Sequence, residues 1–304
     1  MKQILVVHHS GSGGTRALVG ALRDGAAAVD GVAVMTRSAA VADTSDLLRA
    51  WETARPVAAA TGAPLHTDEG LRDTTRESLA AQFEAWKQPA YRLDQLLGWL
   101  YARRAASWDE MSNLPKALRT ELASVYSLEL PQRVRRQGSR DTTRKYLWRL
   151  ADGSMIESVL IPANPALYGE ASDRHTLCIS TQVGCAYGCR FCASGLDGWK
   201  RNLHPHEIVG QVLAVERDAA AELASEAPSA PGAAATASRP LDRVVNNIVV
   251  MGMGEPLANY DHLLAALRIL NAPWGGNIGA RKITISTSGL VPQIRKLAED
   301  PMQF

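Results

Sequence analysis

Cys185, Cys189 and Cys192 fall in the run GCAYGCRFCAS, a C-x3-C-x2-C spacing on a short loop. That spacing puts three thiolates within reach of one metal centre. Thiolates are soft ligands that suit iron–sulfur clusters or zinc. A cubane cluster has four iron corners, so three protein ligands leave one iron free to hold a small molecule. The chain's other cysteine, Cys178, sits too close along a strand to be an obvious fourth ligand. A zinc knuckle would need His175 or His204 to complete it. Zinc sites usually show paired C-x2-C units or a Cys/His pair at fixed spacing, and neither is present. The spacing, with Phe191 between the second and third cysteines, favours the cluster.

Two further segments could hold a ligand beside that metal. Met251-Gly252-Met253-Gly254-Glu255-Pro256 follows a strand-like run. Its glycines let backbone approach a ligand closely, and its carboxylate could accept from an amino group. Ser286-Thr287-Ser288-Gly289 ends the next strand-like run, where hydroxyls could bond a ribose or carboxylate; the plainer reading is a helix N-cap. Upstream, Arg133, Arg135, Arg136, Arg140, Arg144 and Lys145 concentrate positive charge. Such runs are usually solvated faces, and this one gains weight only if other motifs point to nucleic acid.

The elements that must position these groups are legible as patterns. From Leu177 the chain alternates strand and helix: LCIST, the cysteine loop, HEIVGQVLAVERD, NNIVVMGMGEP, NYDHLLAALRIL and RKITISTSG. Repeated βα units predict a parallel sheet, here part of a barrel, with active groups at the C-terminal strand ends. All three motifs lie at such ends. KYLWRLADGSMIESVLIP predicts a hairpin turning at Asp152-Gly153. Residues 81–123 read as short amphipathic helices, with Leu93, Leu96, Leu97 and Leu100 on one face and Trp99 and Trp108 in the core. The Ala/Pro/Ser-rich stretch around 218–240 reads as a disordered insertion. Near the N-terminus QILVV reads as a buried strand running into the glycine-rich HHSGSGGTRALVGAL, a strand-to-helix turn that could cradle phosphate or hold nothing.

The 304 residues allow two ordinary domains, and 46% hydrophobic content supports a real core. A net charge of +2 excludes binding driven by overall charge, so any nucleic-acid affinity must come from local patches. Four cysteines, three of them clustered, argue for a reducing compartment rather than a disulfide framework. No apolar run approaches the roughly 20 residues of a membrane span, and the N-terminus is a poor signal peptide. A cytoplasmic location is expected.

Residues from about 79 to 304 resemble the RlmN/Cfr family of radical S-adenosylmethionine (SAM) methyltransferases. The resemblance rests on QPAYRLDQLLGWLY, SWDEMSNLPKALR, IESVLIP, TLCISTQVGCAYGCRFCASG, GWKRNLHPHEIVGQV, NIVVMGMGEPLANYDHLLAALRIL and RKITISTSGLVP, in that order. It implies an α/β fold: an incomplete radical SAM (β/α) barrel over 163–304, an RNA-binding helical and hairpin accessory domain over 79–162, and an uncertain α/β segment over 1–78. It implies a [4Fe–4S] cluster on Cys185, Cys189 and Cys192, with SAM on the open iron and against Gly254, Glu255 and Ser286. It implies Glu157 as proton acceptor and Cys178 as resolving cysteine in a transient disulfide; from the residues alone, an exposed hairpin carboxylate and a buried strand cysteine are the better readings. The implied reaction methylates carbon 2 of an adenine in 23S ribosomal RNA and transfer RNA, through a methylated cysteine and with a reducing electron donor such as flavodoxin. No cysteine follows Cys192, so the chain as given is not expected to complete turnover. Methylation at carbon 8, or a noncatalytic metal-stabilised RNA-binding fragment, are the alternatives. Residues 1–45 weakly resemble flavodoxin-like proteins, which leaves open a flavin domain feeding electrons to the cluster.

Overall fold

The computed structural model describes residues 2–8, 32–38, 70–139, 142–163, 173–187, 189, 192–226 and 243–302. The chain divides into two compact units, Met1–His66 and Thr67–Phe304. In the first, β1 (Lys2–His8) pairs in parallel with β2 (Val32–Ser38), Lys2 opposite Val32. A parallel pair needs a crossover. The glycine-rich segment proposed to cradle phosphate falls in that crossover, outside the described residues.

The second unit opens with helices. Thr75 caps α1 (Arg76–Ala85) by accepting from the Ser78 N–H. α2 (Tyr91–Leu97) runs into a π-helical turn, Gly98–Ala102, and α3 (Lys116–Val125) follows. Leu93, Leu96, Leu97, Leu100 and Trp99 are all buried, while Trp108 packs on the core's margin. Buried Arg72 ties this layer together, donating to the Leu128 and Ala105 carbonyls at 3.0 and 2.9 Å.

A six-stranded sheet carries the rest, in the order β10-β9-β6-β5-β4-β3. β3 (Gln132–Gly138), β4 (Arg144–Arg149), β5 (Met155–Pro162) and β6 (His175–Cys178) form an antiparallel meander. β9 (Asn247–Val250) and β10 (Ile283–Ile285) then add in parallel to β6. The boundary expected at residue 162/163 therefore lies at the end of β5, whose next partner is β6. The described strands form an open sheet rather than a closed barrel.

The Asp152-Gly153 turn forms as anticipated. Asp152 Oδ1 accepts from the Ser154 N–H at 2.8 Å, and Gly153 takes φ +81°, a left-handed conformation that glycine adopts without strain. Along β4 and β5, Tyr146, Trp148, Ile156, Ser158 and Leu160 are buried on one face. α4 (Pro205–Glu226) covers that face: Gln211 bonds Ser158 on β5. The expected insertion begins later than residue 218. Residues 218–226 continue α4, because Ala, Glu and Leu favour helix, and the helix stops just short of Pro228. Residues 227–242 lie outside the described set. α5 (Tyr260–Asn271) and α6 (Val291–Ala298) follow β9 and β10. No helix among the described residues is long and apolar enough to cross a membrane.

Candidate functional site

The cysteine loop spans the two arms of a small hairpin, β7 (Gln182–Gly184) and β8 (Trp199–Asn202). Cys185 N–H donates to the Gly198 carbonyl at 3.3 Å and closes the loop's base. Gly184 is required there: its φ is +75°, and a Cβ would lie 1.9 Å from the Gly198 oxygen. All four cysteines are free and half-buried. The Tyr187 N–H points at Cys185 Sγ, 3.4 Å away, and the Cys192 N–H bonds the Cys189 carbonyl at 3.0 Å.

Among the described residues, no three cysteine, histidine or acidic side chains are gathered closely enough to hold a metal ion. The donor set itself fits an iron–sulfur cluster: three free thiols on one loop, one with an N–H directed at its sulfur. The zinc alternative gains nothing. His175 bonds the Asp173 carbonyl, and His204 stacks between His206 and His262.

The Met251–Pro256 segment folds back over the start of this hairpin. Gly252 N–H donates to the Ile179 carbonyl, and the Met253 carbonyl accepts from the Thr181 and Gln182 N–H groups at 2.8 and 3.1 Å. Gly254 has φ +104°, and a Cβ there would come within 2.6 Å of Gln182. Buried Gln182 joins the two loops: its Oε1 accepts from Glu255 N–H at 3.0 Å and Ala186 N–H at 3.1 Å. Its Nε2 donates to Asn202 at 2.8 Å.

Glu255 is 2% exposed. One carboxylate oxygen accepts from Leu257 N–H and the Thr287 hydroxyl at 3.0 and 2.6 Å; the other accepts from Ser288 N–H at 2.7 Å. The carboxylate proposed to meet a ligand amino group thus already clamps the Ser286–Gly289 turn. A carboxylate has about four lone-pair sites, so capacity for one further donor remains. Ser286 is exposed at the end of β10.

Glu157 and Cys178 lie on the sheet face opposite α4. Cys178 pairs across to Val159 on β5 and Val249 on β9, and Glu157 is two residues from Val159, hence on the same face. Lys145 Nζ stands 2.8 Å from Glu157 Oε1, both half-exposed. Burial pushes the Cys178 thiol up, partly offset by the Met251 N–H at its sulfur. Ser180 ties this strand to the glycine loop: its hydroxyl donates to the Glu157 carbonyl at 2.6 Å and accepts from Met253 N–H at 2.9 Å.

The basic run is split. Arg133, Arg136 and Arg144 turn to α4, where Asp218 pairs with Arg133 and Arg136, and Glu222 with Arg136 and Arg144. Arg135 and Lys145 stay on the open face, and Arg140 lies outside the described residues. Residue patterns single out neither Gln182 nor Ser180, and give Lys145 only as part of the basic run, because these roles depend on partners elsewhere in the chain. They also missed Arg201, which chelates Glu207 through two 2.7 Å contacts and reaches Asp152 at 2.8 Å, fastening the hairpin turn to β8.

This open α/β sheet, with three cysteines at the head of its parallel strands, resembles that of a solved radical SAM methyltransferase. A crystal structure of such an enzyme from Sphaerobacter thermophilus matches with a TM-score of 0.64 and 41% identity, over 77% of this chain and 61% of that one. Residues 70–128 match the family described as the ribosomal RNA large subunit methyltransferase N-terminal domain. The chain is homologous to the RlmN methyltransferases. It is 50% identical over 241 residues to the probable dual-specificity RNA methyltransferase RlmN 3 of Opitutus terrae, covering 77% of this chain and 59% of that protein. It is 41% identical over 230 residues to the dual-specificity RNA methyltransferase RlmN of Syntrophus aciditrophicus, covering 76% of this chain and 58% of that protein. The chain thus spans about three-fifths of the length of the curated relatives it matches.

Proposed function

We propose that this chain carries the cluster- and SAM-binding half of a radical SAM methyltransferase acting on carbon 2 of an adenine in 23S ribosomal RNA and transfer RNA. The observation that carries the reading is the linkage of three loops. Gln182 joins the cysteine hairpin to the Gly252–Glu255 loop, and Glu255 joins that loop to Ser286–Gly289. All three stand at one end of the parallel strands, where α/β folds gather active groups.

In this reading Cys185, Cys189 and Cys192 hold a [4Fe–4S] cluster, and Gly254, Glu255 and Ser286 hold SAM. When bound, the pair supplies reductive cleavage of SAM, the source of a radical able to functionalise an unreactive aromatic carbon. The chain's own residues orient and exclude. The Gly254 backbone packs against Gln182, where no Cβ would fit, and Glu255 fixes the third loop so that Ser286 faces outward. Glu157 accepts the proton lost from the adenine carbon, and Lys145 fixes its carboxylate at the sheet surface. Cys178, one strand away on the same face, serves as resolving thiol.

The test is anaerobic reconstitution with iron and sulfide, followed by strong reductant and SAM. The expected result is cluster absorption and release of 5′-deoxyadenosine and methionine, both lost in Cys189→Ala. A colourless protein that binds zinc tightly, or a cluster that leaves SAM intact, overturns the proposal. Where RNA methylation is observed, chromatography of the digested nucleosides separates 2-methyladenosine from the 8-methyl isomer.

A further inference from the structure

The arginine run is sorted by a single backbone irregularity. In β3 the pairing slips between Arg133 and Arg135: Arg133 lies opposite Trp148, yet Arg135 lies opposite Leu147. Val134 is the extra residue of a β-bulge. In a regular strand residues 133 and 135 would share a face, because side chains alternate with period two. The bulge sends them to opposite faces. Arg133 and Arg136 then both reach Asp218 on α4, while Arg135 turns to the open face.

That open face is basic and polar where it borders Glu157. Gln132 lies beside Arg149, Arg135 beside Leu147, and Gln137 beside Lys145. Arg135 and Arg149 are exposed and form no ion pair among the described residues. Lys145, Leu147 and Arg149 alternate along β4, and Leu147 lies directly opposite Glu157 on β5. With strands about 4.8 Å apart, Arg135 stands two strands, roughly 10 Å, from Glu157 along one row. By contrast, Arg133, Arg136 and Arg144 already face the carboxylates of Asp218 and Glu222.

We infer that Arg135 and Arg149 form a phosphate-binding rail that seats the RNA backbone beside Glu157, and that Arg133, Arg136 and Arg144 take no part in RNA binding. The assignment rests on the RNA methyltransferase reading above and adds which arginines meet the substrate. Two exposed guanidiniums on one sheet face suit phosphates, which they can bond through paired N–H groups. The three α4-facing arginines act instead as a fastening between the meander and the second half of α4.

The test uses the whole chain and a fluorescein-labelled RNA stem-loop, with affinity read by anisotropy across a salt series. The Arg135→Ala/Arg149→Ala double variant should bind about tenfold more weakly, with the slope of log affinity against log salt shallower by about 2. Arg133→Ala/Arg136→Ala should keep RNA affinity within about twofold while melting earlier. An open-face double variant with unchanged affinity and slope overturns the rail, as does a folded Arg133/Arg136 variant that loses binding equally. Absence of salt-dependent binding by the unaltered chain overturns it too. Reductive SAM cleavage without RNA, measured on the same preparations, reports separately on the enzyme reading: its loss sinks that reading whatever the arginines do. Circular dichroism of each variant separates lost contacts from lost fold.

Discussion

On the α4 side of the sheet, Tyr146 and Trp148 stack with ring centroids 5.0 Å apart, and Ile156, Leu160, Leu177 and Ile248 are buried with them. On the other side, the same strands carry Lys145, Arg149, Glu157 and Cys178, none of them buried. One backbone serves both, because successive side chains point to opposite faces. The first face supplies the free energy that holds β4, β5, β6 and β9 in register. The second can then spend its positions on charge and thiol chemistry. Substitutions on the two faces should therefore fail differently, in stability on one and in chemistry on the other.

The largest expected effect is Trp148→Ala. Removing a side chain 2% exposed and stacked on Tyr146 should cost about 3–5 kcal/mol, read by denaturant unfolding. Leu147→Ala, one residue away on the open face, should cost under about 1 kcal/mol. Equal losses would erase the distinction between the faces. Next is Gln211→Leu. The fully buried amide accepts from the Ser158 hydroxyl and Ser180 N–H at 2.8 and 2.9 Å and donates to the Ser180 carbonyl at 2.9 Å. Its loss strands three polar groups and should cost about 2–3 kcal/mol. Because Ser180 also holds the Glu157 carbonyl and Met253 N–H, this variant should lower SAM cleavage as well. A loss of stability with cleavage intact would detach the network from the site.

A thiol on the open face provides a third test. Burial raises Cys178 above the ordinary cysteine range, so its thiolate is scarce near neutral pH. Iodoacetamide should label it several-fold more slowly in the folded chain than in urea, with a rate that keeps rising above pH 9. Folding favours the protonated thiol, so the contribution to stability is complete below the unfolded pKa and disappears as pH climbs through the folded one. Labelling as fast folded as unfolded would mean that the thiol is not desolvated.

Much of this arrangement was readable locally. Asp152-Gly153 announced the β4–β5 hairpin because the turn's chemistry is contained in a few adjacent residues. The cysteine loop, the Gly252–Glu255 loop and Ser286–Gly289 follow strands whose apolar runs are equally local. The linkages between them were not readable. Gln182 and Glu255 are 73 positions apart, and Ser158 and Gln211 are 53 apart. Nor does QRVRRQG advertise a bulge, since Val134 interrupts pairing and not composition. The arginines therefore read as one basic patch until register divided them. The end of α4 is hard to read for a different reason: alanine-rich composition suits both disorder and helix, and here the helix runs on to Glu226, just short of Pro228.

The smallest effect, and the most specific, concerns the bolt between the hairpin turn and the cysteine hairpin. Arg201 bonds Asp152 and lowers its carboxyl to about 2, with two Ser154 contacts assisting. The unfolded carboxyl titrates near 3.8. A depressed acid stabilises the fold above the unfolded value, and that contribution disappears as pH falls through the folded one. The Asp152 side chain is 43% exposed, so screening leaves well under about 1 kcal/mol. Asp152→Asn should therefore lower the melting temperature slightly at pH 7. The gap to the parent protein should narrow between pH 4 and pH 2, and added salt should shrink it at neutral pH. A gap independent of both pH and salt would mean that Asp152 acts through the turn alone, where asparagine also bonds the Ser154 N–H, and that Arg201 fastens only to Glu207.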